Sequence, residues 1–329
     1  MKLGLVCISE QLKSINKEIA FRTMTRKRFN DLTKLHGREY AIKELSNRIL
    51  TNIEVTGLVI DHCEKQNFAH YRLTCAGFPL ITDPTLDLSF TKLHNHQEIK
   101  KQLNLLGKQI NESSVSIGSH PDQFNVLASL NQDSVEKTIN ELNFQTSIID
   151  MMLQPRNHKC PVNIHINASP ANKSVDISDQ IEEMVERFYA GFSRCNESVK
   201  TRLTLENEDK GFFSTEHILM FHARLKEKYD VSIPICYDNL HDVCNNTCGN
   251  DVETNMNLCL ETWPNDVEPV FHWSEGKEDK MRSHRDYYTD NFFPPIAHRV
   301  IKWECEVKAK DNAICQLLEQ HEAENLLVV

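Results

Sequence analysis

Several features are missing from this chain, and each absence removes a class of protein. No run of about 18 apolar residues occurs, so no membrane-spanning helix is expected. No internal repeat and no low-complexity tract is visible, which argues against solenoids and biased disordered segments. Glycine is scarce, at 10 of 329 residues. The turn after the first apolar run, Cys7-Ile8-Ser9-Glu10, has none, so the glycine-rich phosphate loop of an open dinucleotide-binding sheet is absent. Positive charge does not dominate either. Lys and Arg number 37 against 47 Asp and Glu, a formal net charge of −10, which argues against a protein that coats nucleic acid with its whole surface. A local site for DNA is still allowed. The apolar stretch Leu3 to Ile8 is too short for a signal peptide, and Glu10 follows at once. The eleven cysteines are odd in number and form no CxxC. Together these point to an intracellular, cytoplasmic, reducing compartment. The spacing His241-x-x-Cys244-x-x-x-Cys248 is the one thiol cluster with a metal-like look. It lacks a fourth ligand and reads as ordinary loop cysteines.

What is present is an alternation. At 40% hydrophobic and 26% charged residues, the chain can bury a full core. Short apolar, β-branched runs predict eight strands: Lys2–Cys7, His70–Thr74, Val115–Ser119, Val162–Ile166, Arg202–Glu206, Ile233–Asp238, Pro269–His272 and Val300–Glu304. Helical periodicity fills most gaps, over about 36–65, 96–110, 133–153, 177–196 and 214–229. Strands alternating with helices imply βαβ units and a parallel sheet. Eight such units predict an α/β protein with a single (β/α)8 TIM barrel, residues 1–316, followed by a short acidic tail, 317–329.

The chemistry lies at the strand ends. His120 follows the third strand and His165 ends the fourth. Glu206 ends the fifth, Asp238 the sixth with His241 behind it, and His272 the seventh. Glu306 comes just past the eighth, and His284 lies in the loop after the seventh. Barrel enzymes build their sites on this rim from several strands. Five histidines and three carboxylates on one face would repel or sit unpaired without cations. Mixed imidazole and carboxylate ligation suits zinc, manganese or iron. Clustered divalent ions are a common device for phosphodiester hydrolysis. By contrast, His217 and His222 lie on an amphipathic helix, His158 in a loop, and His94-Asn95-His96 at a helix start. These read as structural or surface residues.

These residues and their neighbours resemble the UV damage endonuclease family. Lys2-Leu3-Gly4 opens the first strand as in that family, and Tyr71-Arg72 followed by Phe78-Pro79-Leu80 resembles its second-strand signature. Ser119-His120-Pro121-Asp122-Gln123-Phe124 is similar to its His-Pro-x-Gln-aromatic motif. Ile164-His165-Ile166, Leu205-Glu206-Asn207, Asp238-Asn239-Leu240-His241, Ser283-His284-Arg285-Asp286-Tyr287 and Glu306-Val307-Lys308 match further words in order. The resemblance implies one barrel that nicks damaged double-stranded DNA immediately 5′ to ultraviolet photoproducts, leaving a 3′-hydroxyl and a 5′-phosphate. It implies two or three divalent ions per chain, Mn²⁺ first, with Zn²⁺ or Mg²⁺ as alternatives. It makes His120, His165, Glu206, Asp238, His241, His272, His284 and Glu306 metal ligands, with Glu206, Glu306 and Lys308 as catalytic groups. Gln123 and Phe124 would probe the lesion, and Arg72, Lys308 and Lys310 would contact phosphate. No obligate protein partner is expected.

Three positions depart from the family pattern. Val270 stands where a lysine is common, two residues before the seventh-strand histidine. Leu5-Val6 replaces an aromatic or polar group, and Cys75-Ala76-Gly77 alters the second-strand signature. Two other enzymes could share such a barrel. An endonuclease IV-like abasic-site enzyme would show a second histidine that Ser283-His284-Arg285-Asp286 lacks. A sugar isomerase would carry more carboxylates and has no evident use for the His-Pro-x-Gln-Phe loop.

Overall fold

Side chains along a strand point alternately to opposite faces, and the strands of this protein alternate in character to match. Leu203-Thr204-Leu205-Glu206 is typical: its leucines join the hydrophobic core while Thr204 and Glu206 meet Asn163 by hydrogen bonds. The computed structural model describes the backbone of residues 1–122 and 124–327, and the side chains of these up to residue 323. The described residues form ten strands: β1 Lys2–Val6, β2 His70–Leu73, β3 Ser116–Ser119, β4 Val162–His165, β5 Leu203–Glu206, β6 Ile235–Cys236, β7 Val270–Trp273, β8 Gly276–Lys277, β9 Lys280–His284 and β10 Lys302–Cys305.

Eight of these form one parallel sheet in the order β6-β5-β4-β3-β2-β1-β10-β7. A parallel bridge between Asp238 and His272 joins the two ends of that order. The expected (β/α)8 barrel is therefore the fold. β8 and β9 make a separate antiparallel hairpin beyond β7, which the periodicity did not announce.

The sixth strand is shorter than expected because side chains replace its ladder. The amide of Asn207 donates to Asp238 O at 2.9 Å, and Asn207 Oδ1 accepts from Asp238 N at 2.8 Å. The helix expected over 177–196 ends at Phe192, and Asn196 starts a new short helix, Glu197–Lys200, by accepting from Val199 N. At the end of the chain, the helix Asp311–Leu327 runs straight through residue 316 and buries Leu317. No structural break falls at the boundary drawn there.

Leu3, Leu5, Ile117, Ile164, Leu203, Leu205, Phe271 and Trp303 are buried with helix residues such as Leu45, Ile49, Leu103 and Phe221. Full burial stabilises each such side chain by roughly 1.5–3 kcal/mol. Asp311 ties the two ends of the chain together. It accepts from Ser9 Oγ and from Glu10 N, and contacts His62 Nε2 at 3.1 Å. Gly4 is needed for close approach inside the barrel, since a Cβ there would lie 2.9 Å from the Cβ of His70. Among the described residues, no helix is long and apolar enough to cross a membrane.

Candidate metal centre

Six of the eight barrel strands bring an ionisable side chain at or just past their ends to the C-terminal mouth: His120, His165, Glu206, Asp238, His272 and Glu306. His120 leaves β3 with its Nδ1 2.8 Å from Pro121 O, which turns Nε2 toward Glu206. Asp238 leaves β6 and caps the helix Asn239–Cys244, its Oδ1 accepting from His241 N at 2.8 Å. That single turn of helix brings His241 back over β5, where its Nδ1 lies 3.1 Å from Glu206 Oε1 and 2.9 Å from Asn207 O.

Glu206 is the hub. Its carboxylate, almost wholly buried, lies 2.9 Å from His120 Nε2, 3.8 Å from His165 Nε2 and 3.1 Å from His272 Nδ1. His272 Nδ1 in turn lies 3.6 Å from both Asp238 Oδ2 and Glu306 Oε1. The result is three overlapping donor groups: His120, Glu206 and His272; His165, Glu206 and His241; Asp238, His272 and Glu306. Within each, the donor atoms all lie within 4.8 Å of one another. His284 stands beside the third, with Nε2 3.9 Å from Glu306 Oε2. Seven of the eight expected ligands thus fall into groups of metal-binding size, and the eighth is adjacent.

The donor chemistry fits divalent cations. Burial pulls the His165 imidazole down to about 4, so the ring is neutral and offers a lone pair. Its Nδ1 and Asp238 Oδ2 are buried without hydrogen-bond partners, an arrangement that costs free energy unless something else meets them. Burial pushes the Glu206 carboxyl up, but His272, His165 and His120 outweigh it and hold the group well below the usual carboxylate range. Glu306 behaves alike, with Arg72 and His272 overcoming the effect of burial. Three buried carboxylates (Glu206, Asp238 and Glu304) and the partly buried Glu306 share this interior with the guanidinium of Arg72.

Arg72 corrects the sequence reading. It was expected to grip phosphate, yet it is buried and committed to Glu304, at 2.9 Å, and to Glu306. It belongs to the wall of the centre. Lys308 is exposed on the rim, whereas Lys310 is half-buried in a left-handed backbone conformation, φ 54°. Phe124 is 75% exposed, so it is not the core aromatic that its position after a strand would allow. Gln123 lies outside the described residues. Val270 is buried in β7 beside Lys302. Cys248 Sγ donates weakly to Asn246 and Asn255, as a loop thiol does. The other rim cations are nearly matched by acids: Arg285 by Glu275 and Glu278, Arg282 by Asp209, Lys277 by Asp286.

Sequence reasoning missed three residues of this region. Glu304 and His70 lie inside strands and meet across the barrel at 3.0 Å. Their signal was a charged residue at an inward position of the pleat. Glu208, two past the hub, accepts from Asn167 N, and burial pushes its carboxyl up to about 8.

Geometry alone does not separate a nuclease from other metal barrels, because one fold serves many chemistries. A solved structure described as a D-tagatose 3-epimerase-like protein superposes with a TM-score of 0.53 at 14% identity, covering 100% of both chains. The sequence decides. The family model for UV-endonuclease UvdE matches residues 1–328. The chain belongs to the UvdE family. A UV DNA damage endonuclease from Nostoc sp. is 30% identical over 322 residues, 96% of this chain and 89% of the relative. Another from Bacillus mycoides is 26% identical over 306 residues, 90% and 88% of the two chains. The crystal structure of SacUVDE superposes with a TM-score of 0.78 at 22% identity, covering 99% of both chains. Membership in UvdE places the chain among the endonucleases of DNA repair.

Proposed function

We propose that this UvdE-family protein nicks duplex DNA immediately 5′ to ultraviolet pyrimidine photoproducts, both cyclobutane dimers and 6-4 products, leaving a 3′-hydroxyl and a 5′-phosphate. The observation that carries this reading is the convergence of three overlapping donor groups at one barrel mouth. His120, His165, Glu206, Asp238, His241, His272 and Glu306, with His284 adjacent, would hold two or three divalent ions, Mn²⁺ first. Such ions supply a nucleophilic water and neutralise charge on the scissile phosphate and leaving oxygen.

The chain's own residues do the rest. Glu206 and Glu306 fix the spacing between donor groups, because each faces more than one histidine. Lys308, exposed two residues beyond Glu306, contacts phosphate and offsets its charge, and Lys310 lines the same edge. The exposed ring of Phe124 stacks in the gap left by a displaced base, worth about 1–3 kcal/mol per base. Gln123, its neighbour in sequence, hydrogen-bonds there. The substrate is therefore damaged double-stranded DNA, gripped at few phosphates, so binding weakens only modestly with salt.

The test is nicking, with Mn²⁺, of irradiated, abasic and undamaged duplexes. Cleavage of the irradiated duplex 5′ to the lesion is expected. Nicking of the abasic duplex alone makes the protein endonuclease IV-like, and sugar turnover without nicking makes it an isomerase. Replacing both Gln123 and Phe124 by alanine should cut the preference for damaged over intact duplex by about tenfold or more, since stacking of this size is lost. Unchanged preference removes the pair from lesion probing.

A further inference from the structure

Beyond β7 the chain makes a hairpin whose tip the proposed reaction leaves without a task. Its strands β8 and β9 pair antiparallel, with Lys277 opposite Lys280 across the turn Glu278-Asp279. Like charges directly opposite on neighbouring strands destabilise such a pair, and neither lysine is neutralised well. Among the described residues Lys280, which is exposed, has no ion-pair partner. Lys277 Nζ is 4.0 Å from Asp286 Oδ1, too far for a hydrogen bond. The carboxylate of Glu278 is drawn away to Arg285 Nη2, at 2.9 Å.

Residues two apart in a strand share a face, so Lys280 lies on the face of β9 that carries Arg282 and His284. Both of these reach toward the mouth of the barrel. Arg282 Nε donates to Asp209 O in the loop after β5, 3.1 Å away, and His284 Nε2 is 3.9 Å from Glu306 Oε2. The ring of strands places the hairpin further. From β3 to β7 is four steps in either direction, through β2, β1 and β10 or through β4, β5 and β6. The hairpin therefore stands diametrically across the mouth from the loop that carries Gln123 and Phe124, with the donor groups between. We propose that Lys277 and Lys280 clamp backbone phosphate of duplex DNA on the 5′ side of the incision. A lesion held at Phe124, with the cut 5′ to it over the donor groups, carries the duplex toward the hairpin on that side. A phosphate between the two ammonium groups removes the repulsion that the bare hairpin bears. Such a contact fixes where the duplex lies and reads neither sequence nor damage. Asp279, exposed at the same turn, opposes it.

This site rests on the reading of the protein as a nuclease of damaged duplex, and the experiment separates the two. Full-length, Mn²⁺-loaded protein is titrated onto an undamaged duplex over a range of KCl concentrations. The proteins are the wild type, the double variant Lys277→Gln with Lys280→Gln, and Asp279→Asn. The slope of log affinity against log salt should be shallower by about two in the double variant, about one for each lysine taken off phosphate. Asp279→Asn should bind more tightly than the wild type. Single-turnover nicking of a duplex with one photoproduct, at rising protein concentration, then locates the contact. Neutral methylphosphonates 5′ of the cut should raise the half-saturating concentration of the wild type and change that of the double variant far less. Placed 3′ of the lesion, they should raise both alike. An unchanged slope, an Asp279→Asn protein that binds no tighter, or equal 5′ effects in both proteins overturns the site. A wild type that binds duplex but nicks no irradiated DNA overturns the nuclease reading, while the slope still decides the hairpin. A wild type that binds no duplex overturns both.

Discussion

Adjacent residues of one strand in this barrel live in different media. In β5, Leu203 and Leu205 face the helices and are fully buried among hydrocarbon. Thr204 and Glu206, equally buried, face the lumen and meet Asn163 and histidines. β7 repeats the contrast: Phe271 packs between Trp263 and Trp303, while His272 reaches three carboxylates, one on β5 and two in or just after β10. β10 repeats it again with Trp303 and Glu304. The outer layer releases free energy on burial. The lumen does the reverse, because its carboxylates outnumber the one guanidinium and buried charge costs several kcal/mol when poorly matched. Stability is therefore made in one layer, while the other layer carries the unmatched charge that a bound cation would offset.

Replacing neighbours on opposite faces tests that division. Glu206→Gln should have the largest effect. It withdraws a charge from two donor groups at once, with several kcal/mol of transition-state stabilisation at stake, so nicking should fall by about a thousandfold or more. It should also abolish the rise in melting temperature expected of the wild type with saturating Mn²⁺, worth about 3 kcal/mol at 100 times the Kd. Rapid single-turnover nicking by this variant would break the comparison from the lumen side. Leu205→Ala, one residue away, should cost about 2–5 kcal/mol in urea unfolding. Its nicking rate per folded molecule should be unchanged. A matching loss of rate would mean that the two faces are not separable.

The smallest effect sharpens the comparison by pH. His158 lies outside the lumen beside Trp263, and burial pushes its imidazole down to about 4. An unfolded histidine takes its proton near 6.5. Between these values the unfolded chain binds a proton that the folded one refuses, so stability falls as pH drops from about 6.5 to about 4. The expected loss is on the order of 2–3 kcal/mol. His158→Leu should flatten this limb of the melting-temperature profile. The lumen carboxylates, held below the usual range, should lose their contribution only at lower pH. A wild-type profile flat over that interval would remove His158 from the acid response.

The apolar layer and the rim were legible in the sequence because both follow local rules. Alternating runs such as Leu203 to Glu206 mark strands, and a strand's last residue marks the mouth of a barrel. The lumen below the rim was not legible. Whether Glu304 points inward depends on barrel closure, which is set by pairing between residues as distant as Lys2 and Lys302. Arg72 was misread for the same reason, since the acids that bury it come from the far end of the chain. The β8–β9 hairpin carries too little apolar pattern to be seen, with Lys280, Met281 and Arg282 all exposed.

The pairing of β1 with β10 also bears on how the protein comes into being at the ribosome. β1 must wait for β10, about 300 residues later, and at about 5–20 residues per second that wait is tens of seconds. The donor groups draw on residues from His120 to Glu306. A stalled or truncated product ending before β10 lacks Glu306 and the strand that closes β1 against β7. The donor groups are therefore completed by the same event that completes the fold, so a half-made chain carries only part of the candidate metal centre.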